Sequence, residues 1–293
     1  MPKSVLLQGD CLEVLKELPD DSVDSLVCDP PAGIAFMGKA WDEDKGGSKQ
    51  WIAWLSSVMV EAKRVMKPGA HGFVWALPRT SHCTATALED AGFEIRDVVT
   101  HLFGSGFPKS HNIEKATKDE RFKGFGTALK PASEHWILVR KPLEKGLTIA
   151  ENVLKHGAGG INIDASRIGT EERTYSINGA TKGGNFGNYA NQPALERDHK
   201  TATGRFPANL ILSCCGQEPH DENCAVAELD RQSGVSKSGS VGIRTSDGFN
   251  ANSYGKGMSI KAGQENGEYG DKGGASRFFY VAKASKREKN AGC

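Results

Sequence analysis

The sequence lacks several features that would each place it in a particular class of protein. It has no run of about 18 consecutive apolar residues, so no membrane-spanning helix is expected. The first ten residues, MPKSVLLQGD, contain too short an apolar stretch for a secretory signal. The formal net charge is only +1, so no overall charge excess marks a polyanion-binding protein. Any nucleic-acid site must therefore be a local patch.

The cysteines do not have the pattern of a disulfide framework. Their number is odd, seven in 293 residues, and no signal peptide precedes them. This favours reduced thiols in a cytoplasm. Four residues of metal-ligating type lie close together in the sequence: Cys214, Cys215, His220 and Cys224. Adjacent cysteines and uneven spacing make a weak zinc pattern, so no metal site is predicted, and a surface loop with free thiols is the favoured interpretation.

Residues 1–140 alternate between strand-like and helix-like segments. The predicted strands are Ser4–Gln8, Val23–Cys28, Gly72–Leu77, Ile95–Leu102 and His135–Val139. The predicted helices are Leu12–Leu18, Trp51–Met66 and Ser81–Ala91. Such alternation predicts an α/β fold with a doubly wound parallel sheet. Ligands of such sheets bind outside the carboxyl ends of the strands, where Asp10 and Asp29 are expected to lie.

The remaining chain has a different composition. Residues 165–205 and 234–275 are rich in Gly, Ser, Asn and Lys and show little periodicity. Long loops of this kind are uncommon in compact domains unless they are functional. Two interpretations stay open, mobile loops or loops that become ordered on a large ligand such as DNA. Scattered Lys, Arg, Asn and Tyr residues favour the second.

The segment after the predicted strand Val23–Cys28 is the most informative in the chain. It reads Asp29-Pro30-Pro31. The two prolines fix their φ angles and have no backbone N–H to donate. The turn therefore presents a carboxylate and carbonyl oxygens without a competing donor, which suits it to hold an amino group.

An ordered set of motifs identifies a family. The stretch GDCLEVLKELPDDSVDSLVCDPPAGIAFMGKAWD resembles the opening of the β-class DNA amino-methyltransferases of the DPPY type. The likeness continues through RVMKPGAHGFVWALPRTSH, GFEIRDVVTHLFGSGFPKSHNIEKA, GTALKPASEHWILVRKPL and GRFPANLIL to SRFFYVAKASKREK. It looks like a subgroup common in phages and mobile elements. The resemblance implies a restriction-modification type enzyme with S-adenosyl-L-methionine as cofactor and double-stranded DNA as partner, in the cytoplasm of a bacterium or phage-infected host.

The resemblance also implies roles for the turn. Asp29 and Pro30 would each accept an N–H of the target amine, and Pro31 would stiffen the turn. Asp at the first motif position favours adenine-N6 over cytosine-N4. The target base must be flipped out of the duplex and held.

The residue that usually stacks on that base is missing. The fourth motif position is normally aromatic, and here it is Ala32. Phe36 and Trp41 are candidate replacements for the stacking ring, with ordinary packing under a loop as the alternative for both.

Further residues match the family's cofactor and DNA segments. The resemblance places Asp10 and Cys11, together with Asp29, near the cofactor, while a helix N-cap is the alternative for Asp10. The sequence Phe103-Gly104-Ser105-Gly106 resembles the family's glycine-rich cofactor loop, but Pro108 follows it. It is interpreted as a substrate-side loop, in which Lys109 and His111 are candidate phosphate contacts.

The resemblance implies a division into three segments and an incomplete sheet. The segments are 1–145 for the partial catalytic core, 146–275 for a loop-rich target-recognition region, and 276–293 for a returning strand and basic tail. The family's sheet order is 3-2-1-4-5-7-6, and Rossmann-like strands 1 and 2 have no candidates in this sequence. The HPTVKP-like and DPFxGSG stretches that bind the methionine end of the cofactor have none either. Three interpretations follow: a truncated or split half-enzyme that needs a second chain carrying DPFxGSG, a shortened active enzyme, or an inactive DNA-binding fragment.

Overall fold

The computed structural model describes residues 4–177, 198–216, 219–221, 223–237, 248–249, 259–260 and 272–282. The helices are α1 (Cys11–Glu17), α2 (Ser48–Val65), α3 (Ser81–Asp90), α4 (Ile113–Thr117), α5 (Ile149–His156) and α6 (Ala225–Ser233). The longer strands are β1 (Val23–Cys28), β2 (Met66–Ala76), β3 (Glu94–Leu102), β4 (Ser133–Arg140), β5 (Ile168–Ile177), β6 (Asp198–Arg205) and β7 (Leu210–Ser213). The short strands are β8 (Ser236–Lys237), β9 (Gly248–Phe249), β10 (Ser259–Ile260), β11 (Lys272–Gly273) and β12 (Tyr280–Ala282).

The central sheet has six strands in the order β1-β2-β4-β3-β7-β12. β1 is parallel to β2 and β3 is parallel to β7, whereas β4 runs antiparallel between β2 and β3. The predicted α/β fold class is confirmed. The sheet is mixed rather than parallel throughout, because β4 returns between two strands that both run the other way. The order β1-β2-β4-β3 matches the 4-5-7-6 part of the order that the resemblance implies, as an incomplete Rossmann-like sheet would.

The predicted strand at Ser4–Gln8 is wrong. These residues are irregular and exposed, and Leu6 is 96% accessible. An isolated apolar segment cannot form a strand without a neighbour to receive its backbone hydrogen bonds. In the described part of the chain β1 pairs only with β2, so its outer edge is open.

The hydrophobic core lies between the sheet and the two helices α2 and α3. Helix α2 buries the apolar face that its periodicity predicted, and Leu55 and Met59 are almost completely inaccessible. They pack with Val74, Leu88 and Ile137 in one continuous cluster. Burial of such side chains typically contributes about 1.5–3 kcal/mol each. This core holds the first two strands of the sheet in register.

Ion pairs fix the amino end of β1. Three acidic residues of the LPDDSVD connection each meet a basic residue from elsewhere in the fold: Asp20 with Arg64, Asp21 with Lys141 and Asp24 with Lys67. The Arg64 guanidinium also donates to the carbonyl oxygens of Leu15 and Leu18, at 2.8 and 3.0 Å. The connection that the sequence analysis matched to the family is therefore an anchor for the start of the strand.

The chain divides into two compact units. One comprises the described parts of Met1–Asn162, Asn209–Ala225 and Val281–Cys293, and the other comprises those of Ile163–Ala208 and Val226–Tyr280. Helix α5, which follows residue 145, contacts β2 and so belongs to the unit with the central sheet.

The second unit consists mainly of strand pairs. β5 and β6 form an antiparallel pair, as do β8 with β11 and β9 with β10. The Asp230 carboxylate accepts hydrogen bonds from the backbone N–H and the hydroxyl of Ser276, at 2.8 and 2.7 Å. No helix within the described residues has the length and hydropathy to cross a membrane.

Candidate functional site

Asp29 lies immediately beyond the carboxyl end of β1. The pairing of Cys28 with Val74 on β2 fixes the end of the strand, and the Asp29 side chain that follows is exposed. Pro30 is buried and Pro31 is partly buried, so the turn is anchored on one side while its carboxylate faces outwards. Partial desolvation raises the pKa of Asp29 above its usual value, and the negative charge of Glu134 on β4 raises it further. The site therefore presents a carboxylate acceptor beside a second acidic residue.

Asp42 holds the loop that follows the two prolines, and sequence reasoning did not identify it. Its carboxylate is 1% exposed and accepts hydrogen bonds from the backbone N–H groups of Gly33 and Phe36, at 2.9 and 2.8 Å. Its carbonyl oxygen accepts a third, from Ala35. A short acidic side chain that closes a loop through two backbone amides makes charge-assisted bonds. The only signal in the sequence is an aspartate ending a glycine-containing loop, which does not indicate which amides it binds.

Gly33 allows the loop to lie against helix α2. Its φ is +68°, and a Cβ atom there would be 2.6 Å from the indole ring of Trp51. A larger residue would thus meet both backbone strain and a steric clash. The Trp51 ring is 4% exposed, and its Nε1 has no hydrogen-bond partner in the described structure. The close approach fixes the path of the chain just after the Asp-Pro-Pro turn.

The two candidate stacking rings are both accessible. Phe36 is 45% exposed and Trp41 is 59% exposed, so each could offer a ring face to a ligand. The ammonium of Lys109 lies 4.9 Å from the centre of the Phe36 ring. The structure therefore brings together a candidate stacking residue and a candidate DNA contact that are far apart in the sequence.

The glycine-rich segment after β3 packs closely against backbone. A Cβ atom on Gly104 would lie 1.6 Å from the carbonyl oxygen of Asn223, and one on Gly106 would lie 1.7 Å from that of Pro131. No helix opens directly after these glycines, because α4 begins only at Ile113. Gly104 and Gly106 therefore allow close packing within the loop. This agrees with the interpretation that the segment is not the cofactor loop.

The same segment carries the two candidate phosphate contacts. Lys109 and His111 are both exposed. The backbone N–H of His111 donates to the hydroxyl of Thr127 at 2.9 Å, which fixes the chain there while the imidazole stays at the surface.

Asp10 caps helix α1. Its carboxylate accepts a hydrogen bond from the backbone N–H of Leu12 at 2.9 Å, so the predicted N-cap is confirmed. Cys11, the next residue, is exposed. Burial raises the pKa of Cys28 to about 11, and the charges of Cys11 and Asp29 add to this effect. The three predicted cofactor residues, Asp10, Cys11 and Asp29, thus lie in the region around the end of β1.

The strand ends near Asp29 add three polar residues that sequence reasoning also missed, His101 on β3, Ser213 on β7 and Glu134 on β4. The imidazole Nε2 of His101 lies 2.7 Å from the hydroxyl of Ser213 on β7, and its Nδ1 lies 3.7 Å from the carboxylate of Glu134. These contacts join three neighbouring strands at the edge that carries Asp29.

The cysteine-histidine residues come together at the same edge of the sheet. The segment between β7 and α6 carries Cys214, Cys215, His220 and Cys224, and their ligand atoms all lie within 4.8 Å of one another. The spacing in the sequence argued against a metal site, whereas the folded geometry is compatible with one. None of the six described cysteines forms a disulfide bond, which applies to Cys11, Cys28, Cys83, Cys214, Cys215 and Cys224.

The chain is similar to DNA methyltransferases. The type II methyltransferase M.BamHI of Bacillus amyloliquefaciens is 36% identical over 77 residues, 25% of this chain and 18% of that protein. M.HindIII of Haemophilus influenzae is 23% identical over 198 residues, 54% of this chain and 64% of that protein. DNA adenine methyltransferase YhdJ of Escherichia coli is 41% identical over 66 residues, 21% of each chain. The chain therefore spans less than two thirds of the length of each relative.

Comparison with family models and solved structures adds little to the functional assignment. No protein-family model matches the sequence. The structure of TTHA0409 from Thermus thermophilus, complexed with S-adenosyl-L-methionine, is 17% identical. The match covers 50% of this chain and 57% of that one, with a TM-score of 0.33. A likeness this slight carries no functional assignment. The relatives in sequence are what link this chain to DNA methyltransferases.

Proposed function

We propose that this chain is the base-holding part of a DNA amino-methyltransferase that acts on adenine N6. The exposed Asp29 carboxylate at the carboxyl end of β1, followed by two prolines, is the observation that carries the proposal. The similarity to M.BamHI, M.HindIII and YhdJ supports it, and YhdJ is described as an adenine methyltransferase. Cytosine N4 is the alternative target.

The turn would act on the amino group of the flipped base. The nitrogen of such an amine is a poor nucleophile because its lone pair is delocalised into the ring. If Asp29 and the Pro30 carbonyl each accept one N–H, the nitrogen is held towards tetrahedral geometry and its lone pair is directed at the methyl donor. Positioning and electrostatics of this kind account for much of enzymatic rate acceleration. Because Pro30 and Pro31 have no N–H, nothing in the turn competes for the carboxylate.

The neighbouring loops would hold the base and the DNA. An exposed ring at Phe36, with Trp41 as the second candidate, can stack on a base that has left the duplex. Lys109 and His111 are accessible for phosphate contacts, which position DNA without reading its sequence. The second unit, which contains the β5–β6 pair, would supply target recognition.

The residues near β1 fit part of S-adenosyl-L-methionine. Asp10 is exposed and uses one carboxylate oxygen for the helix cap, and Cys11 and Asp29 are accessible beside it. When bound, the cofactor supplies an electrophilic methyl group on a sulfonium. The described residues contain no glycine-rich loop for its methionine end, because the glycines at Gly104 and Gly106 pack against backbone. The fit is to the adenosine side alone.

A further polypeptide segment would complete the site along the open edge of β1. Parallel strands are normally covered on both faces and paired within their sheet. Here Val27 is 73% exposed, and a groove of about 330 Å³ over β1 and β2 is lined by apolar residues such as Leu26 and Phe73 together with polar ones such as His71. We infer that a segment with strands and a DPFxGSG-like loop, carried by a second chain in the split-enzyme case, pairs with this edge.

Methyl transfer from isotopically labelled S-adenosyl-L-methionine tests the proposal. The purified chain is incubated with DNA, alone and together with the polypeptide encoded next to it, and the DNA is digested to nucleosides and analysed by mass spectrometry. N6-methyladenine is the expected product, and N4-methylcytosine would establish the alternative target. Asp29→Ala should abolish transfer while sparing DNA binding, and Glu43→Ala, an exposed carboxylate in the following loop, is the matched control. Transfer by Asp29→Ala within about tenfold of wild type would contradict the assigned role.

A further inference from the structure

We propose that Cys214, Cys215, His220 and Cys224 bind a structural Zn²⁺ ion. The four residues belong to the segment that joins β7 to α6. The His220 Nδ1 atom lies 3.8 Å from the Cys214 sulfur, 3.3 Å from that of Cys215 and 3.5 Å from that of Cys224. All four ligand atoms lie within 4.8 Å of one another.

These distances agree with tetrahedral coordination. Zinc binds cysteine sulfur at about 2.3 Å and histidine nitrogen at about 2.0–2.1 Å. At the tetrahedral angle, a bound sulfur and a bound nitrogen are then ~3.5 Å apart and two sulfurs are ~3.8 Å apart. The three measured separations between His220 and the sulfurs lie on both sides of the first value. Three thiolates and one imidazole form a donor set that suits zinc.

Hydrogen bonding alone does not explain this arrangement. A neutral imidazole nitrogen either accepts one hydrogen bond or donates one. Three sulfurs lie close to the single Nδ1 atom of His220, so hydrogen bonding accounts for at most one of the three contacts. A disulfide bond would explain the closeness of two of the three cysteines, but not why the third cysteine and His220 lie at the same place. A cation at the centre accounts for all four residues at once.

The surrounding backbone contacts one of the sulfurs directly. The backbone N–H of Gly216 donates to the Cys214 sulfur at 3.4 Å, and Gly216 has a φ of +73°, which a glycine adopts without strain. Such a bond stabilises negative charge on the sulfur, because hydrogen bonds to an ionised acceptor are the stronger ones. On the other side of the cluster, the backbone N–H of Cys224 donates to the carbonyl oxygen of Asp221 at 3.1 Å.

The position of the cluster indicates what the ion would hold. The backbone N–H of Cys214 donates to the carbonyl oxygen of Ala282 on the neighbouring strand, and Cys224 is 3% exposed. Asn223, beside Cys224, is the residue whose carbonyl oxygen meets Gly104. Four protein ligands leave no open coordination position, so the site is structural rather than catalytic. The ion would fix the connection against the loop that leads to Lys109.

Metal content is the first test of the site. The chain is purified without added chelator and analysed by inductively coupled plasma mass spectrometry, and one equivalent of zinc is expected. Cobalt(II) exchanged into the chain should give the absorption spectrum of a tetrahedral thiolate site. A wild-type chain without stoichiometric zinc that also fails to bind cobalt would overturn the proposal, as would a disulfide between any two of the three cysteines in the freshly purified chain.

Paired variants identify the ligands. His220→Ala should weaken zinc binding at least ~100-fold in competition with a chelator, since even residues that only support ligands cost ~10–100-fold. His220→Cys preserves four ligands and should retain the ion. Cys11→Ser, which removes an exposed cysteine outside the cluster, should not change the metal content. Equal zinc affinity in His220→Ala and wild type would exclude this site.

A measurement on the unaltered chain covers the case in which a variant does not fold. Removal of zinc from wild type by a chelator should lower the melting temperature, and added zinc should restore it. An unchanged melting temperature would exclude a structural role. None of these tests involves DNA or a methyl donor, so the zinc site can fail while the proposed methyl transfer stands, and the reverse.

Discussion

The ammonium of Lys109 lies 4.9 Å from the centre of the Phe36 ring, although the two residues are far apart in the sequence. A cation over an exposed aromatic ring gains about 0.5–1 kcal/mol. The contact brings the loop after β3 to the loop after the Asp-Pro-Pro turn, and it places a candidate stacking ring beside a candidate phosphate contact.

Removal of the Phe36 ring should weaken the binding of the flipped base. Stacking of a base on an aromatic side chain is worth about 1–3 kcal/mol, so Phe36→Ala should lower kcat/KM for methyl transfer by about 5–150-fold. Phe36→Trp should retain most of the activity. Fluorescence of 2-aminopurine at the target position reports the flipped state directly. The neighbouring Met37→Ala, 78% exposed and without a ring, is the control. Loss on Trp41→Ala with no loss on Phe36→Ala would assign the stacking to Trp41.

Lys109→Gln should weaken DNA binding in a way that depends on salt. Each phosphate contact that is lost reduces the slope of log K against log salt concentration by about 0.9. The affinity for specific and random duplexes should fall by a similar factor, because a phosphate contact carries no sequence information. Fluorescence anisotropy over a range of salt concentrations measures both effects. Lys49→Gln, an exposed lysine of α2, should leave the slope unchanged, and an unchanged slope in Lys109→Gln would remove it from the DNA interface.

Asp42→Ala should loosen the loop after the prolines. The substitution leaves the backbone N–H groups of Gly33 and Phe36 without their acceptor, and hydrogen bonds to charged groups contribute about 1.5–3 kcal/mol each. Hydrogen exchange at these two amides should accelerate, by more in Asp42→Ala than in Asp42→Asn, which keeps one oxygen. Asp44→Ala, which removes an exposed carboxylate bound to Gly46, is the control. Unchanged protection at Gly33 would contradict the anchoring role.

Glu134→Gln should lower the pKa of Asp29. The Glu134 charge contributes to the upward shift of that pKa, after desolvation, so its removal favours the ionised form of Asp29. If ionised Asp29 is required, the acid limb of the pH–rate profile moves to lower pH. Carbon NMR of the Asp29 carboxyl group measures the pKa even without activity. Glu120→Gln, at an exposed residue of another loop, should leave it unchanged. An upward movement or none in Glu134→Gln would disprove this coupling.

Asn152→Ala should destabilise the unit with the central sheet by about 2–4 kcal/mol. Asn152 is fully buried, donates to the carbonyl oxygens of Pro68 and Ala158 at 2.9 and 2.8 Å, and accepts from the Glu144 N–H at 3.0 Å. Its removal takes the hydrogen-bond partner from three backbone groups, of which that of Ala158 is buried and the other two are partly buried. Urea unfolding should show a lower midpoint with an unchanged slope. Leu154→Ala, at a side chain 87% exposed on the same helix, should change the free energy of unfolding by less than about 0.5 kcal/mol.

The sequence predicted local elements well where the pattern and the tertiary contacts agree. The bounds of β1 are those predicted, because an apolar run ends at a proline pair and the neighbouring β2 supplies its hydrogen bonds. The apolar face of α2 is also as predicted. Ser4–Gln8 has an equally apolar pattern but no neighbouring strand, so the same signal gave a wrong prediction. A hydrophobic pattern indicates which side chains a segment can bury. Whether a neighbouring strand is available to pair with that segment depends on the whole fold.

The candidate site was predictable only in part for the same reason. Asp29 could be identified because its chemistry and its place after a strand are both local. Asp42 could not, because its function depends on which amides the loop turns towards it. The cysteine cluster is the clearest case, since irregular spacing in the sequence becomes a regular arrangement of sulfur and nitrogen atoms in the fold.

The open edge of β1 has a consequence for how this protein must be produced and handled. An edge strand with unsatisfied backbone groups and exposed apolar residues is a template on which another copy of the same chain can pair. Val27 lies exposed on this strand. Self-association at this edge would compete with any correct neighbour, so the yield of monodisperse protein should depend on whether that neighbour is present while the chain folds. Production of the chain together with that neighbour should therefore give more monodisperse protein than mixing the two after separate purification.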